Sequence, residues 1–310
     1  MSDILILGPQ FREPVLAQAL AAAGMTGPVA AITAGWQERE AELAALEEHL
    51  SQPVQDLRLY ARTEAAFAQD PELHEAYRAR QRLLRETQDL YRIRLDHAKA
   101  AVRELLRAQP ESAALRRARA AAIAVLRRLD ALHLRGIDAV HRRFEAQWRP
   151  RERPALAVHL AELAEVLAKT RTVLIAGGHV AVLANRLKLF DAQALLHGKA
   201  IAAWSAGAMS LAERIVLFHD HPPQGAGNAE VFERGLGLVP RAVFLPQARR
   251  RLALDDASRT ALLARRLSPA TCYTLDDGDW LLFRKGALQS GAGSRRLTRA
   301  GSTRAVGIAA

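Results

Sequence analysis

A single cysteine, Cys272, stands in a chain of 310 residues, which excludes an internal disulfide framework and any metal site built on several cysteines. Its setting, Ala270-Thr271-Cys272-Tyr273-Thr274, is strand-like and points to a buried thiol rather than a nucleophile. Long apolar runs are also missing. No stretch approaches the ~20 residues of a membrane-spanning helix. The start, Met1-Ser2-Asp3-Ile4-Leu5-Ile6-Leu7, lacks the basic region and cleavage site of a secretory leader. The expectation is a soluble, cytoplasmic protein with no membrane partner. Lysine is scarce, with Lys99, Lys169, Lys188, Lys199 and Lys285 the only ones. Abundant Ala, Arg and Leu beside so few lysines is what a GC-rich genome produces by codon choice, so arginine content alone implies no function. No zinc knuckle, RNA-binding aromatic signature or glycine-rich phosphate loop accompanies the basic residues, which argues against specific nucleic-acid reading. No repeat of fixed period occurs, and no cofactor is expected.

Half of the residues are hydrophobic, enough to bury one large core or two smaller ones. The formal net charge is +11 and unevenly spread: residues 71–148 hold 16 arginines and Lys99 against ten acidic residues. Residues 3–7 form a short apolar run closed by Gly8-Pro9. Val15 to Ala23 then has helical spacing and stops at Gly24, and Val29-Ala30-Ala31-Ile32-Thr33 is a second run. Strand, helix and strand in this order open a parallel α/β sheet.

From Gln37 to Trp148 no strand signal is present. Pro71–Ala108 and Pro110–Trp148 each open with proline, which a first helical turn tolerates. Leu73, Tyr77, Leu84, Tyr91, Leu95, Ala98, Val102 and Leu105 form one stripe at helical spacing. Leu115, Ala118, Ala122, Val125, Leu129, Leu132, Ile137, Val140 and Phe144 form another. The two stripes predict an antiparallel hairpin of helices, each about 55 Å long at ~1.5 Å per residue, projecting from the body. Weak positions such as Ala98, Ala118 and Ala122 call for further support, from residues 37–50 or from a second copy of the chain. Past Pro154 the α/β rhythm resumes through Thr172–Ala176, Val180–Phe190 and Ala200–Trp204, and the end after Ala287 reads as partly loose. The predicted architecture is a doubly wound, mostly parallel sheet in a three-layer sandwich. Residues 1–36 and 151–310 would form the α/β domain, and residues 37–150 a helical insertion.

One run stands out. Ile201-Ala202-Ala203-Trp204 is strand-like and ends abruptly on Ser205; Ala206-Gly207-Ala208-Met209 follows and leads into helix. A serine at a strand-to-helix apex has its hydroxyl pushed clear of the backbone, and the next amide points where an oxyanion would form. An ordinary tight turn between strand and helix would use the same small residues.

Further motifs follow the same order as in a known family. Ile175-Ala176-Gly177-Gly178-His179, then Ser205-Ala206-Gly207-Ala208, Asp220 and Gly235-Leu236-Gly237-Leu238-Val239-Pro240 resemble the serine dipeptidases (peptidase E) and cyanophycinases, a branch of the class I glutamine-amidotransferase-like fold. The resemblance covers residues 1–36 and roughly 155–285, leaving the hairpin outside. It implies Ser205 as nucleophile, Ala206 as one oxyanion donor, a second donor in the Gly177-Gly178 turn, and Asp220 near the triad's acid. His179 departs from the family's Asn or Asp after the paired glycines, and Ala203 stands where it usually has glycine. The family's histidine lies seven residues after the proline of its Gly-Leu-Gly-Leu segment, and that count falls on Gln247.

Glutamine cannot take a proton from serine. Without a base most nucleophilic catalysis is lost, leaving about 10³–10⁴-fold over water. Three readings follow. His219 or His221, flanking Asp220, or else His179, could supply the base for hydrolysis of a peptide or amide bond near an acidic group. Alternatively the site is a remnant and the basic hairpin binds a partner, an acidic protein, a nucleic acid without specific reading, or a second copy of the chain. Finally, His179, His219, Asp220 and His221 could hold a metal, although neighbours on a strand face opposite ways, so no metal site is assigned. The reading adopted is a serine hydrolase of this family acting on a small peptide or amide, with a homodimer through the insertion as the expected assembly.

Overall fold

Apolar runs bounded by glycine or proline become the strands of a seven-stranded sheet in the computed structural model, which describes residues 2–218 and 229–306. Ile4–Leu7 (β1), Val29–Ile32 (β2), Val54–Asp56 (β3), Thr172–Ile175 (β4) and Ala200–Trp204 (β5) run parallel in the order β1-β5-β4-β2-β3. Ile215–Leu217 (β6) and Glu230–Glu233 (β7) pair as a separate ribbon. Ala242–Pro246 (β8) and Thr271–Leu275 (β9) are parallel neighbours in a second sheet. Trp280–Arg284 (β10) and Ala287–Ala292 (β11) return antiparallel to the edge of the first sheet at β1. Arg295–Leu297 (β12) and Thr303–Ala305 (β13) complete the second sheet beside β9.

The helices are Leu16–Ala22 (α1), Ala44–Leu50 (α2), Leu59–Gln69 (α3), Pro71–Arg107 (α4), Ala113–Trp148 (α5), Pro154–Lys169 (α6), Val180–Leu189 (α7), Ala192–Leu195 (α8), Ala206–Leu211 (α9), Ala248–Arg251 (α10) and Ala257–Leu267 (α11). They cover the first sheet on both faces. Ile4 and Ile6 of β1 pack with Leu163 of α6 and Leu183 of α7, while Leu5 and Leu7 pack with Leu16 and Leu20 of α1. A strand buried on both faces must read as a continuous apolar run, which is why β1, β2, β4 and β5 were legible. The fold is the expected α/β class with a long helical insertion. Among the described residues no helix is long and apolar enough to cross a membrane.

The structure departs from the expectation in three places. β3 lies inside the stretch read as free of strands, at the edge of the sheet beside β2. Residues 287–306, read as partly loose, supply β11, β12 and β13. The third departure is the hairpin. Both helices exist, with Asp70 accepting from Leu73 N at the head of α4. Ser112, not Pro110, caps α5 by accepting from Leu115 N, because a serine oxygen satisfies a free helix-end amide. The hairpin does not project, however. Tyr91, Leu95 and Val102 of α4 and Leu126, Leu129 and Leu134 of α5 share a core with Ile215, Val231, Val243 and Leu263 of the body. The support expected from residues 37–50 comes instead from β7 and α11. Val125 and Leu132, expected inside, are 57% and 39% exposed. The buried face of α5 contains Asp130 and His133, polar residues that an apolar stripe cannot register.

Polar side chains fasten this contact. Arg80 is buried between the rings of Tyr77 and Phe144, 4.2 and 4.4 Å from their centres, a favourable seat for a guanidinium. Arg266 of α11 donates from Nε and Nη2 to the two oxygens of Asp130 at 2.8 and 2.6 Å. Glu233 of β7 is fully buried against Lys188 Nζ at 2.8 Å and His141 Nε2 at 3.1 Å. Burial alone would raise the Glu233 carboxyl, but the charge of Lys188 and the contact with His141 bring it down to about 2. A folded-state value below the ordinary 4.5 means that ionised Glu233 stabilises the fold above about pH 4.5 and loses that contribution as pH falls toward 2. Denaturant titrations from pH 6 to pH 2.5 should show this decline. Glu233→Gln should flatten the acid limb of the profile; an unchanged limb would assign it to other groups.

Candidate active site

β5 delivers its last residue, Trp204, to the C-terminal edge of the sheet, and Ser205 follows at φ 52° and ψ −118°. A non-glycine residue in this region costs roughly 1–3 kcal/mol and persists only where the surroundings hold it. The surroundings are tight. A Cβ on Gly207 would lie 2.1 Å from the carbonyl oxygen of Ile175, so only glycine lets α9 start this close to β4. Gly178 has φ +110°, and a Cβ there would meet Gly35 O at 2.3 Å. The neighbouring His179 N–H donates to the same carbonyl at 2.8 Å, pinning the turn.

The result is a cavity of about 570 Å³ at the ends of β5 and β8. Gly178, Ser205, Ala206, Glu230, Gln247 and Arg251 line it, with Val180, Met209, Leu217 and Phe218 as an apolar wall. As the first amide of α9, Ala206 N–H has no acceptor within the helix and can donate to a ligand. Gly177 sits so close to the elbow that a Cβ there would be 2.8 Å from Ser205 Cβ. Gly178 and the serine, far apart in sequence, thus face one space, while Gly177 is buried against the elbow and does not line the cavity. A smaller cavity of about 70 Å³ between α4 and α11 shares no lining residue with it.

The other candidates fare differently. Gln247 does border the cavity, at φ 56° and ψ 40° at the head of α10, with its N–H donating to Leu275 O at 2.8 Å. His179 does not line it. Its ring caps α7, Nδ1 accepting from Val182 N at 3.3 Å, and its side chain is exposed. A histidine directly before a helix serves the free amides of that helix, which corrects its placement in the pocket. His219, Asp220 and His221 lie outside the described residues. Cys272 is buried in β9 with its thiol pushed up to about 12 by desolvation, far from nucleophilic.

The family model of peptidase family S51 matches residues 137–291, half of the chain. The chain belongs to peptidase family S51. The matched stretch contains the glycine turn, the elbow, Arg251 and the Gly-Leu-Gly-Leu segment, whereas α4 and most of α5 precede it, so this S51 member carries most of its hairpin outside the part recognised as family. Among solved structures, the chain is similar to a peptidase from an acI-B1 Actinobacterium, with 14% identity, 96% of this chain and 91% of that chain covered, and a TM-score of 0.47. It is also similar to a protein described as a peptidase E from Listeria monocytogenes EGD-e, with 20% identity, 45% and 66% coverage, and a TM-score of 0.31. No curated protein sequence matches the chain.

Two charged residues of the site were not singled out in the sequence. Arg251, third in the basic run Arg249-Arg250-Arg251, is half-buried, and desolvation together with the charge of Arg250 lowers its pKa. No carboxylate among the described residues pairs with it. Glu230 had no sequence signal at all. It lies on β7, and Arg92 Nε and Nη2 donate to its two oxygens at 2.7 and 2.9 Å. The available signal for Arg251 was its spacing, four residues past Gln247, which puts it one helical turn away.

Proposed function

We propose that this S51 member is a serine hydrolase of a peptide or amide bond lying next to an acidic group. Ser205 is the nucleophile, and the amides of Ala206 and Gly178 receive the developing oxyanion. Arg251 binds the substrate's carboxylate, because a half-buried guanidinium without a partner among the described residues favours an anion. The base comes from the segment after Phe218, as His219 or His221 oriented by Asp220, and not from position 247. Phe218 and Glu230, which bracket residues 219–228 closely, both line the Ser205 cavity, and this supports assigning the base there. The imidazole would take the Ser205 proton as Oγ attacks the carbonyl carbon, and return it to the leaving amine as the C–N bond breaks.

The observation that carries this reading is the elbow itself: Ser205, held at φ 52° and ψ −118°, lines one cavity together with Gly178 and Ala206, the first residue of α9. Gln247 supports a second reading, a site that binds an acidic peptide without turning it over. Hydrolysis of an acidic dipeptide series separates the two. Loss of the base should cost about 10²–10⁴-fold in kcat, so one of His219→Ala and His221→Ala should fall by that much while Gln247→Ala stays within a few-fold. Activity unaffected by either histidine substitution would overturn the assignment of the base, and absence of any turnover would favour binding alone.

A further inference from the structure

The Ser205 cavity holds one carboxylate and one guanidinium among its described lining, Glu230 and Arg251. Left alone, a partly buried pair of opposite charges in one cavity would attract each other and leave no net charge for a ligand. The hairpin supplies Glu230 with partners of its own. Arg92 of α4 grips both oxygens of Glu230, and Gln88 Nε2 adds a third hydrogen bond at 2.9 Å. The strand bearing Glu230 is itself tied to the insertion: Val231 N donates to Tyr91 Oη at 3.2 Å, and His133 Nε2 lies 3.0 Å from Phe232 O. The Glu230 side chain is only 13% exposed, with three of its roughly four acceptor positions occupied from α4.

We infer that Arg92 is a positioning and specificity-determining residue: by neutralising Glu230 and holding it to the hairpin, it keeps Arg251 free for the carboxylate of the substrate. The insertion then acts on the substrate site from behind, through Glu230, rather than only as a separate docking arm, although α4 lies wholly outside the residues matched to the family. This inference rests on the reading of Arg251 as the acid-binding group and adds the device that makes it available.

The test is binding, so it does not depend on turnover. Full-length protein carrying Ser205→Ala would be titrated calorimetrically with aspartyl-alanine and with asparaginyl-alanine, which differ by one charge. The acidic dipeptide should bind at least about tenfold tighter, the size expected for one favourable ion pair in a partly desolvated site. Arg92→Met should erase that preference, because unneutralised Glu230 then repels the ligand and competes for Arg251. Adding Glu230→Gln to Arg92→Met should restore it. Restoration is the readout that a merely structural role would not give, since it removes a second hairpin contact rather than repairing the first. A preference that survives in Arg92→Met, or a double variant no better than the single, overturns the role of Arg92 and leaves the proposed function standing. Equal binding of the two dipeptides before any change at Arg92, or no binding of either, overturns both the role of Arg92 and the acid-reading part of the proposed function.

Discussion

Replacing Asp130 by alanine is expected to lower the stability of the fold by about 3–5 kcal/mol, the cost of leaving a buried charge without its partner. Asp130 and Arg266 are each only 2% exposed. Besides the two bonds from Arg266, Asp130 Oδ1 accepts from Tyr91 Oη at 2.8 Å, and that hydroxyl accepts from Arg266 Nη2 at 2.8 Å. Arg266 Nη1 also donates to Ala229 O at 2.6 Å. Burial by itself would lower the Arg266 pKa, but the bonds to Asp130 outweigh it and the net direction is up. The alanine variant strands a guanidinium and a phenol at the joint between hairpin, α11 and β7. Urea unfolding of the single variant and of Asp130→Ala with Arg266→Met separates the two contributions. The double variant should recover much of the loss, since no unpaired charge remains. A single-variant loss below 1 kcal/mol would mean that water reaches the pair and that the hairpin is not fastened there.

The second large effect concerns the glycine turn. Gly178→Ala should slow the reaction of Ser205 with a fluorophosphonate about 10²–10³-fold, the range for loss of one oxyanion donor. The reason is steric. At φ +110° a methyl group would sit 2.3 Å from Gly35 O and 2.5 Å from Gly35 C, both backbone atoms that cannot swing aside. The turn must shift, and the bond from His179 N to Gly35 O goes with it. A stability loss of about 1–3 kcal/mol should accompany the change. Measuring the rate well below the variant's melting temperature keeps the two effects apart. A rate equal to wild type would show that Gly178 N–H takes no part in the oxyanion site.

How much of this was readable beforehand follows from the physics of each signal. The Ser205 elbow was legible because β5 is buried on both faces and its apolar run stops at one residue. β3 was not, because a three-residue edge strand with one buried side chain has neither alternation nor length. β11 was hidden by its half-buried Ser290 and Gly291, and β12 and β13 by their exposed arginines. The hairpin stripes gave both helices but not the surface that covers them, since an amphipathic pattern carries no information about its partner. Of its arginines, Arg92 contacts a helical neighbour, Asp89, at 2.9 Å. Arg80, by contrast, is buried between two rings, and Arg92 reaches Glu230, 138 residues away in sequence. Such long-range polar pairs have no local period to betray them.

The proposed function requires Ser205 to be an activated nucleophile at a working elbow. Treating wild-type protein and Ser205→Ala with a fluorophosphonate at neutral pH, followed by peptide mapping of the adduct, addresses it directly. The expected result is a single adduct on Ser205, formed in wild type and absent from the alanine variant. Wild-type protein that remains unlabelled, or that labels equally well after Ser205 is removed, would contradict it.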